Sequence, residues 1–168
     1  MTTSSPVAPA SSVAFIGGGN MARSLIGGLV AAGTDPGTLR VADPNPAARD
    51  ALAADFGVQV HAGAGEAATG AGTWVFAVKP QVMREVCAGL AGVAQAEQPL
   101  VVSIAAGITA GQLERWLGDD LAVVRAMPNT PALLGAGVTG LFANCRVDEA
   151  GRAQADRLLA SAGHTVWI

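Results

Sequence analysis

The residues best suited to chemistry lie near the amino terminus, in Gly17-Gly18-Gly19-Asn20-Met21-Ala22. They fit G-x-G-x-x-G/A, with Ala22 in the last place. An apolar run, Val13 to Gly17, precedes them, and a stretch with helical periodicity opens near Asn20. A glycine turn between a buried strand and a helix can cradle a pyrophosphate. The first glycine permits the tight turn. Gly19 has no Cβ, so backbone approaches the phosphates. Ala22 lets helix and strand pack closely. Free N–H groups of the helix start face the anion.

Four further segments could complete such a site. Asp43 ends a second apolar run and either accepts hydrogen bonds from ribose hydroxyls or caps the turn before Pro44. Ala77-Val78-Lys79-Pro80, Ala105-Ala106-Gly107 and Met127-Pro128-Asn129-Thr130-Pro131 stand where further apolar runs stop. Small residues there let backbone groups meet a flat ring, or else merely punctuate the chain. Lys79 is read as a cation at a strand end rather than a proton donor. His61 and His164 lie in no convincing motif and are read as surface or structural residues.

The elements that must hold these segments follow from periodicity. Strands are expected at 13–17, 39–42, 58–60, 73–78, 100–104, 121–125 and 165–168, with one more at 137–143. Helices are expected at 20–32, 46–56, 81–93, 109–117 and 148–162. Pro46 suits a first helical turn, Thr109 an N-cap, and Asp148 a helix start. The strands are continuously apolar rather than alternating, which implies burial on both faces and hence a parallel sheet. The fold class expected is α/β: a doubly wound, mostly parallel Rossmann sheet with helices on both faces. Its site lies at the carboxyl ends of the strands.

Composition narrows the class. The chain has 168 residues, 51% hydrophobic and 14% charged, enough for one domain and unlike a disordered chain. A net charge of -3 offers no basic footprint for nucleic acid. No apolar run reaches the roughly 18 residues of a membrane span. Residues 1–12 lack the features of a signal peptide and are read as a flexible leader on a cytoplasmic protein; 13–168 form the dinucleotide-binding domain. Two cysteines, Cys87 and Cys145, are too few for a disulfide framework; both are expected to be buried free thiols. No metal site is expected.

FIGGGNMA at Phe15–Ala22, AVKP at Ala77–Pro80, SIAAG at Ser103–Gly107 and RAMPNTP at Arg125–Pro131 together resemble the motif series of pyrroline-5-carboxylate reductases, in the same order and at similar spacing. The resemblance covers nearly everything after the leader. It implies that NAD(P)H reduces 1-pyrroline-5-carboxylate to proline, with little acid–base machinery. It assigns Ile16, Gly17, Gly18, Gly19, Asn20, Met21 and Ala22 to the pyrophosphate and Asp43 to the adenosine ribose. Ala77, Val78, Lys79, Pro80, Ala105, Ala106 and Gly107 would line the nicotinamide side. Asn129 and Thr130 would border the substrate. Asp43 beside the extra phosphate of NADPH favours NADH, while Arg49 is the cation that could reach round.

The family also implies a second, all-helical domain that forms a homo-oligomer and completes the substrate pocket. That domain has no counterpart before Ile168. The chain is therefore expected to supply the cofactor domain and to have little activity alone. Two other readings share the first motif. One is a 3-hydroxyacid or prephenate dehydrogenase, not expected to carry SIAAG and MPNTP together. The other is a stand-alone nucleotide-sensing module.

Overall fold

The computed structural model describes residues 12–128 and 137–168. Eight strands form one sheet: β1 (Val13–Ile16), β2 (Leu39–Ala42), β3 (Gln59–His61), β4 (Thr73–Phe76), β5 (Leu100–Ser103), β6 (Ala122–Pro128), β7 (Gly137–Ala143) and β8 (Gly163–Trp167). The order across the sheet is β3-β2-β1-β4-β5-β6-β7-β8. Every neighbouring pair is parallel except β6 with β7. The order reverses between β1 and β4, so a crevice opens at their carboxyl ends.

Successive residues of each central strand serve opposite cores. Val13 and Phe15 pack with α1 (Asn20–Ala31), α2 (Pro46–Phe56) and α6 (Glu149–Ala160). Ala14 and Ile16 pack with α3 (Ala64–Ala68), α4 (Pro80–Glu97) and α5 (Ala110–Leu117). All four β4 residues are buried, which is why its sequence shows no alternation. Each large side chain so enclosed contributes about 1.5–3 kcal/mol. Trp74 keeps its indole N–H satisfied by donating to the carbonyls of Ala68 and Ala71, at 3.1 and 3.2 Å, and so ties β4 to α3.

Local signals set most element ends. Asn45 caps α2 by accepting from Ala47 N, with Pro46 at the first helical position. Thr109 and Gln112 form a reciprocal capping box on α5. Asp148 caps α6 through Gly151 N. Most element ends shift by a residue or two, and β6 runs three residues further than expected, to Pro128. The α4 helix runs four residues longer than expected, to Glu97, because Gln98 closes it in a left-handed conformation without glycine. The last strand begins at Gly163, two residues early. The five-residue helix α3 was not expected, since AGAGEAA is too short to show a period.

Cys87 is buried on α4 as expected, but Cys145 is exposed, which corrects the expectation for that thiol. Cys145 lies in the β7–α6 turn, where Asn144 and Arg146 on either side make the polar contacts. Both thiols are free. Burial without compensation pushes the Cys87 thiol up to about 12. Iodoacetamide at neutral pH is therefore expected to label one cysteine in the native chain and two in denaturant. Two labels without denaturant, read by mass spectrometry, would contradict the packing of α4.

Candidate functional site at the carboxyl ends of the strands

The glycine turn sits between β1 and α1, and each glycine answers a different neighbour. Gly17 has φ +105°, and a Cβ there would lie 2.7 Å from the Ala77 carbonyl oxygen. The backbone crosses the end of β4 at a distance only glycine allows. A Cβ on Gly18 would meet Leu52 Cδ1 at 2.9 Å and Asp43 Oδ2 at 3.2 Å. Gly19 has nothing within 4 Å of its Cβ position and stands exposed as the N-cap of α1. The sequence reading attributed the close approach to Gly19 alone; Gly18 also needs it, against the protein itself.

The start of α1 lacks the usual protections. No side chain caps it and its first turn carries no acidic residue. A side-chain cap is commonly worth about 1 kcal/mol. Its absence leaves the N–H groups of the first turn aimed outward beside an open Gly19. Ala22 is fully buried against the core, so the helix lies close on the sheet; Met21 packs beside it and Asn20 is exposed. The α2, α5 and α6 helices are capped by side chains, whereas α1, like α4, is not.

Asp43 does two things within the chain. Its Oδ2 accepts from Gly18 N at 2.9 Å, and its Oδ1 accepts from Asn45 N at 2.8 Å. The carboxylate thus fixes the glycine turn against the end of β2 and also makes the turn before α2. Each oxygen retains a lone pair for a further donor. Arg49 reaches back from α2 and donates to the Asp43 backbone carbonyl at 2.7 Å, which puts a guanidinium at the end of β2.

The remaining strand ends meet at the same rim. Ala77 N donates to Ile16 O at 2.8 Å, and Ile104 N to Phe76 O at 3.1 Å, so the loops after β4 and β5 are stitched to their neighbours. Ala77 and Val78 are half-buried, while Lys79 and Pro80 are exposed, Lys79 as the uncapped N-cap of α4. Buried Ser103 accepts from Ala105 N at 3.2 Å and shapes the next loop. Gly107 has φ +76°, and nothing lies within 4 Å of its Cβ position. Ala105, Ala106 and Gly107 therefore present backbone rather than side chains. Asn129 and Thr130 lie outside the described residues.

A cleft of about 240 Å³ opens between these ends, walled by Pro44, Ala62 and Ala64 on one side and Val78 and Val86 on the other. Its lining is almost wholly apolar, so it suits the faces of a flat ring system. Ala62 and Ala64, from the β3–α3 segment, were missed by sequence reasoning. Nothing but position marks them, since an alanine carries no chemical signature. A larger hollow of about 420 Å³ runs along α1 from Asn20 past Arg23 and Phe56. Arg23 is already tied to Asp55 and stacked on the Phe56 ring, 5.0 Å from its centroid. The hollow lies along the helix itself, whereas the cleft meets the glycine turn before it, at Ile16 and Gly17. Neither histidine lines the cleft or the hollow: His164 is exposed, and His61, beside Ala62 on edge strand β3, accepts from Asp43 N through its backbone carbonyl at 3.1 Å and has Nδ1 3.9 Å from Glu66.

Residues 12–107 match the family model described as NADP oxidoreductase, coenzyme F420-dependent. The pyrroline-5-carboxylate reductase of Pseudomonas aeruginosa is 48% identical over 156 residues, 93% of this chain and 57% of that protein. The Vibrio alginolyticus reductase is 42% identical over the same shares of each chain. The solved pyrroline-5-carboxylate reductase of Coxiella burnetii superposes with a TM-score of 0.93 at 38% identity, covering 95% of this chain and 59% of that one. The chain thus spans somewhat over half the length of these relatives. The resemblance read from the GGGNMA, AVKP, SIAAG and MPNTP segments is borne out. By its matched region, the chain belongs to the NADP oxidoreductase, coenzyme F420-dependent family, and within it is similar to the pyrroline-5-carboxylate reductases.

Proposed function

We propose that this chain is the coenzyme-binding part of a reductase that converts 1-pyrroline-5-carboxylate to L-proline at the expense of NAD(P)H. The observation that carries the reading is the uncapped start of α1, open at Gly19 and adjoining an apolar cleft. Both features fit a dinucleotide. The first-turn N–H groups from Gly19 to Ala22 would hold the pyrophosphate, and Asp43 the adenosine ribose. Pro44, Ala62 and Val86 would enclose the adenine, and Ala77 to Pro80 would line the nicotinamide side. The backbone of Ala105 to Gly107 would border the nicotinamide, with Asn129 and Thr130 toward the substrate. When bound, the reduced nicotinamide supplies hydride to the imine carbon. A protonated imine is already electrophilic, so the protein's part is orientation and exclusion of water. Lys79 contributes a positive charge at the rim. A homo-oligomer built through a helical second domain and a cytoplasmic location belong to the same proposal. Among the described residues no helix is long and apolar enough to cross a membrane.

A hybrid tests the activity. Its amino-terminal part is this chain, and the rest is the portion of the Pseudomonas aeruginosa reductase outside the aligned region. It is expected to oxidise NAD(P)H only when pyrroline-5-carboxylate is present. This chain alone should reach less than about a hundredth of that rate, because in the hybrid the relative's remaining portion is expected to help orient the substrate. A hybrid that folds and binds coenzyme yet reduces nothing would overturn the reading.

Coenzyme choice rests on two opposed charges. Asp43 would repel the extra phosphate of NADPH by about 1 kcal/mol at a partly exposed site. Arg49, anchored on the Asp43 carbonyl, opposes it. We propose that both coenzymes bind, with NADH favoured by less than about tenfold. Asp43→Asn should shift the ratio of dissociation constants toward NADPH, and Arg49→Met toward NADH. A native preference for NADPH of tenfold or more would contradict this balance.

A further inference from the structure

The coenzyme crevice uses the carboxyl ends of the strands. At their amino ends lies a second cavity, of about 300 Å³, between the sheet and the first turns of α6. Thr73, Leu100 and Ala122, the first residues of β4, β5 and β6, form its floor. The register sets them side by side: Thr73 pairs with Leu100, and Leu100 with Ala122. Gly151 and Gln154 of α6 lie above them. This cavity shares no lining residue with the apolar cleft.

The cavity is polar where a packed core would be apolar. Thr73 faces α6, because Val75, two residues on, packs in the same core as Ala155 and Leu158. Thr73 is only 2% exposed, and its hydroxyl has no hydrogen bond among the described residues. Gln154 accepts from Arg157 Nε at 3.1 Å through Oε1, while its Nε2 is buried with no partner. Two unpaired polar groups on one cavity call for a bound partner. Gly151 keeps the space between helix and floor open. A Cβ there would lie 3.0 Å from Val147 Cγ1, 3.3 Å from Asp148 Oδ1 and 3.6 Å from Leu100 Cδ1. Opposite charges flank the mouth. Arg146 gives one nitrogen to Asp120 and keeps its other N–H donors. Asp148 accepts from Gly151 N at 2.7 Å through Oδ1, which leaves Oδ2 for a further donor.

We propose that this cavity binds a small aliphatic α-amino acid as its zwitterion. Its carboxylate faces Thr73, the Gln154 amide and Arg146, and its ammonium faces Asp148. Three arguments carry the assignment. The Thr73 hydroxyl, the Gln154 amide and the Arg146 guanidinium are donors in want of acceptor oxygens, which a carboxylate supplies. The Gln154 amide turns about its last torsion, which is soft, to meet it. The second argument is charge. Asp120 and Asp148 stand against one guanidinium, so a simple anion is repelled, whereas a molecule with both charges on one carbon satisfies both sides. The third is size and lining. The cavity stands at the small end of ligand sites, and Pro99, Leu100 and Ala122 suit a short apolar side chain. The proposal is independent of the reductase reading, since it requires neither coenzyme nor turnover.

Titration of the isotope-labelled chain with L-valine, followed by the shifts of its amide resonances, tests the proposal. Gly72, Thr73, Gly151 and the Gln154 side chain should shift saturably at millimolar L-valine, and Gly17 to Gly19 should not. Valinamide lacks the carboxylate and isovalerate lacks the ammonium; each should bind at least tenfold more weakly, and inorganic phosphate should not compete. Gln154→Leu and Thr73→Val should each weaken L-valine binding at least tenfold without lowering the melting temperature, because each removes a group that the chain itself leaves unpaired. Asp148→Asn keeps a helix cap and should weaken L-valine at least fivefold but not isovalerate. Saturating NADH should displace no L-valine. No saturable shift at these residues, shifts at Gly17 to Gly19 alone, displacement by NADH, or isovalerate, valinamide or phosphate bound as tightly as L-valine overturns the proposal. So does undiminished binding by a folded Gln154→Leu, Thr73→Val double variant. Should those variants fail to fold, the exposed positions decide: L-valine bound by Arg146→Met and Asp148→Asn as by the native chain overturns it, and a loss in both supports it.

Discussion

Gly19→Val is expected to weaken NADH and NADPH binding by 100-fold or more, on the order of 3 kcal/mol, while leaving the fold intact. The two halves of this result have separate causes. Nothing lies within 4 Å of the Gly19 Cβ position, and its φ of -74° is open to any residue. Valine therefore meets no protein atom. It is a poorer N-cap than glycine, a cost of up to about 1 kcal/mol. Reduced freedom of the unfolded chain returns a similar amount. The melting temperature should move by no more than about 3 °C. The empty space that spares the fold is the space the pyrophosphate needs. Calorimetric titration and a thermal melt on the same preparation separate the outcomes. Undiminished coenzyme binding would remove this turn from the site.

Gly17→Ala should do the opposite and strike stability first. Its φ of +105° lies where L side chains are strained, at about 1–3 kcal/mol. The new Cβ would also sit 2.7 Å from the Ala77 carbonyl oxygen and 2.8 Å from its carbon. Those are backbone atoms stitched to Ile16, so they cannot swing aside. The total should reach about 3–5 kcal/mol, a large part of a typical 5–15 kcal/mol stability. A fall in melting temperature on the order of 10 °C follows. A loss under about 2 °C would mean that the ends of β1 and β4 are far less rigid than described. Two glycines two positions apart thus separate folding from binding.

The layout of the sheet was legible because buried parallel strands leave long apolar runs. Val13 to Ile16, Thr73 to Phe76 and Leu100 to Ser103 could hardly be read otherwise. The glycine turn was legible because its spacing answers a geometric need. Less visible were contributions that depend on the sheet being assembled. Asp43 was read either for a ribose or for the turn before Pro44; it makes that turn through Asn45, and it also binds Gly18, a neighbour fixed only once β1 and β2 pair. Ala62 and Ala64 wall the cleft through their placement on β3 and α3. Cys145 misled because an apolar neighbourhood in sequence became a polar turn in space. Met127, Phe142 and Val166 look like ordinary core residues in sequence, and only the register of β6 to β8 shows them exposed on one face.

The most direct measurement is equilibrium binding of NADH and NADPH to this chain and to Gly19→Val, at one ionic strength. Saturable binding of one coenzyme per chain, competed by the other and lost in the variant, is the predicted result. No saturable binding of either coenzyme to the folded chain, or equal binding by Gly19→Val, would contradict the assignment of the open α1 start as a dinucleotide site.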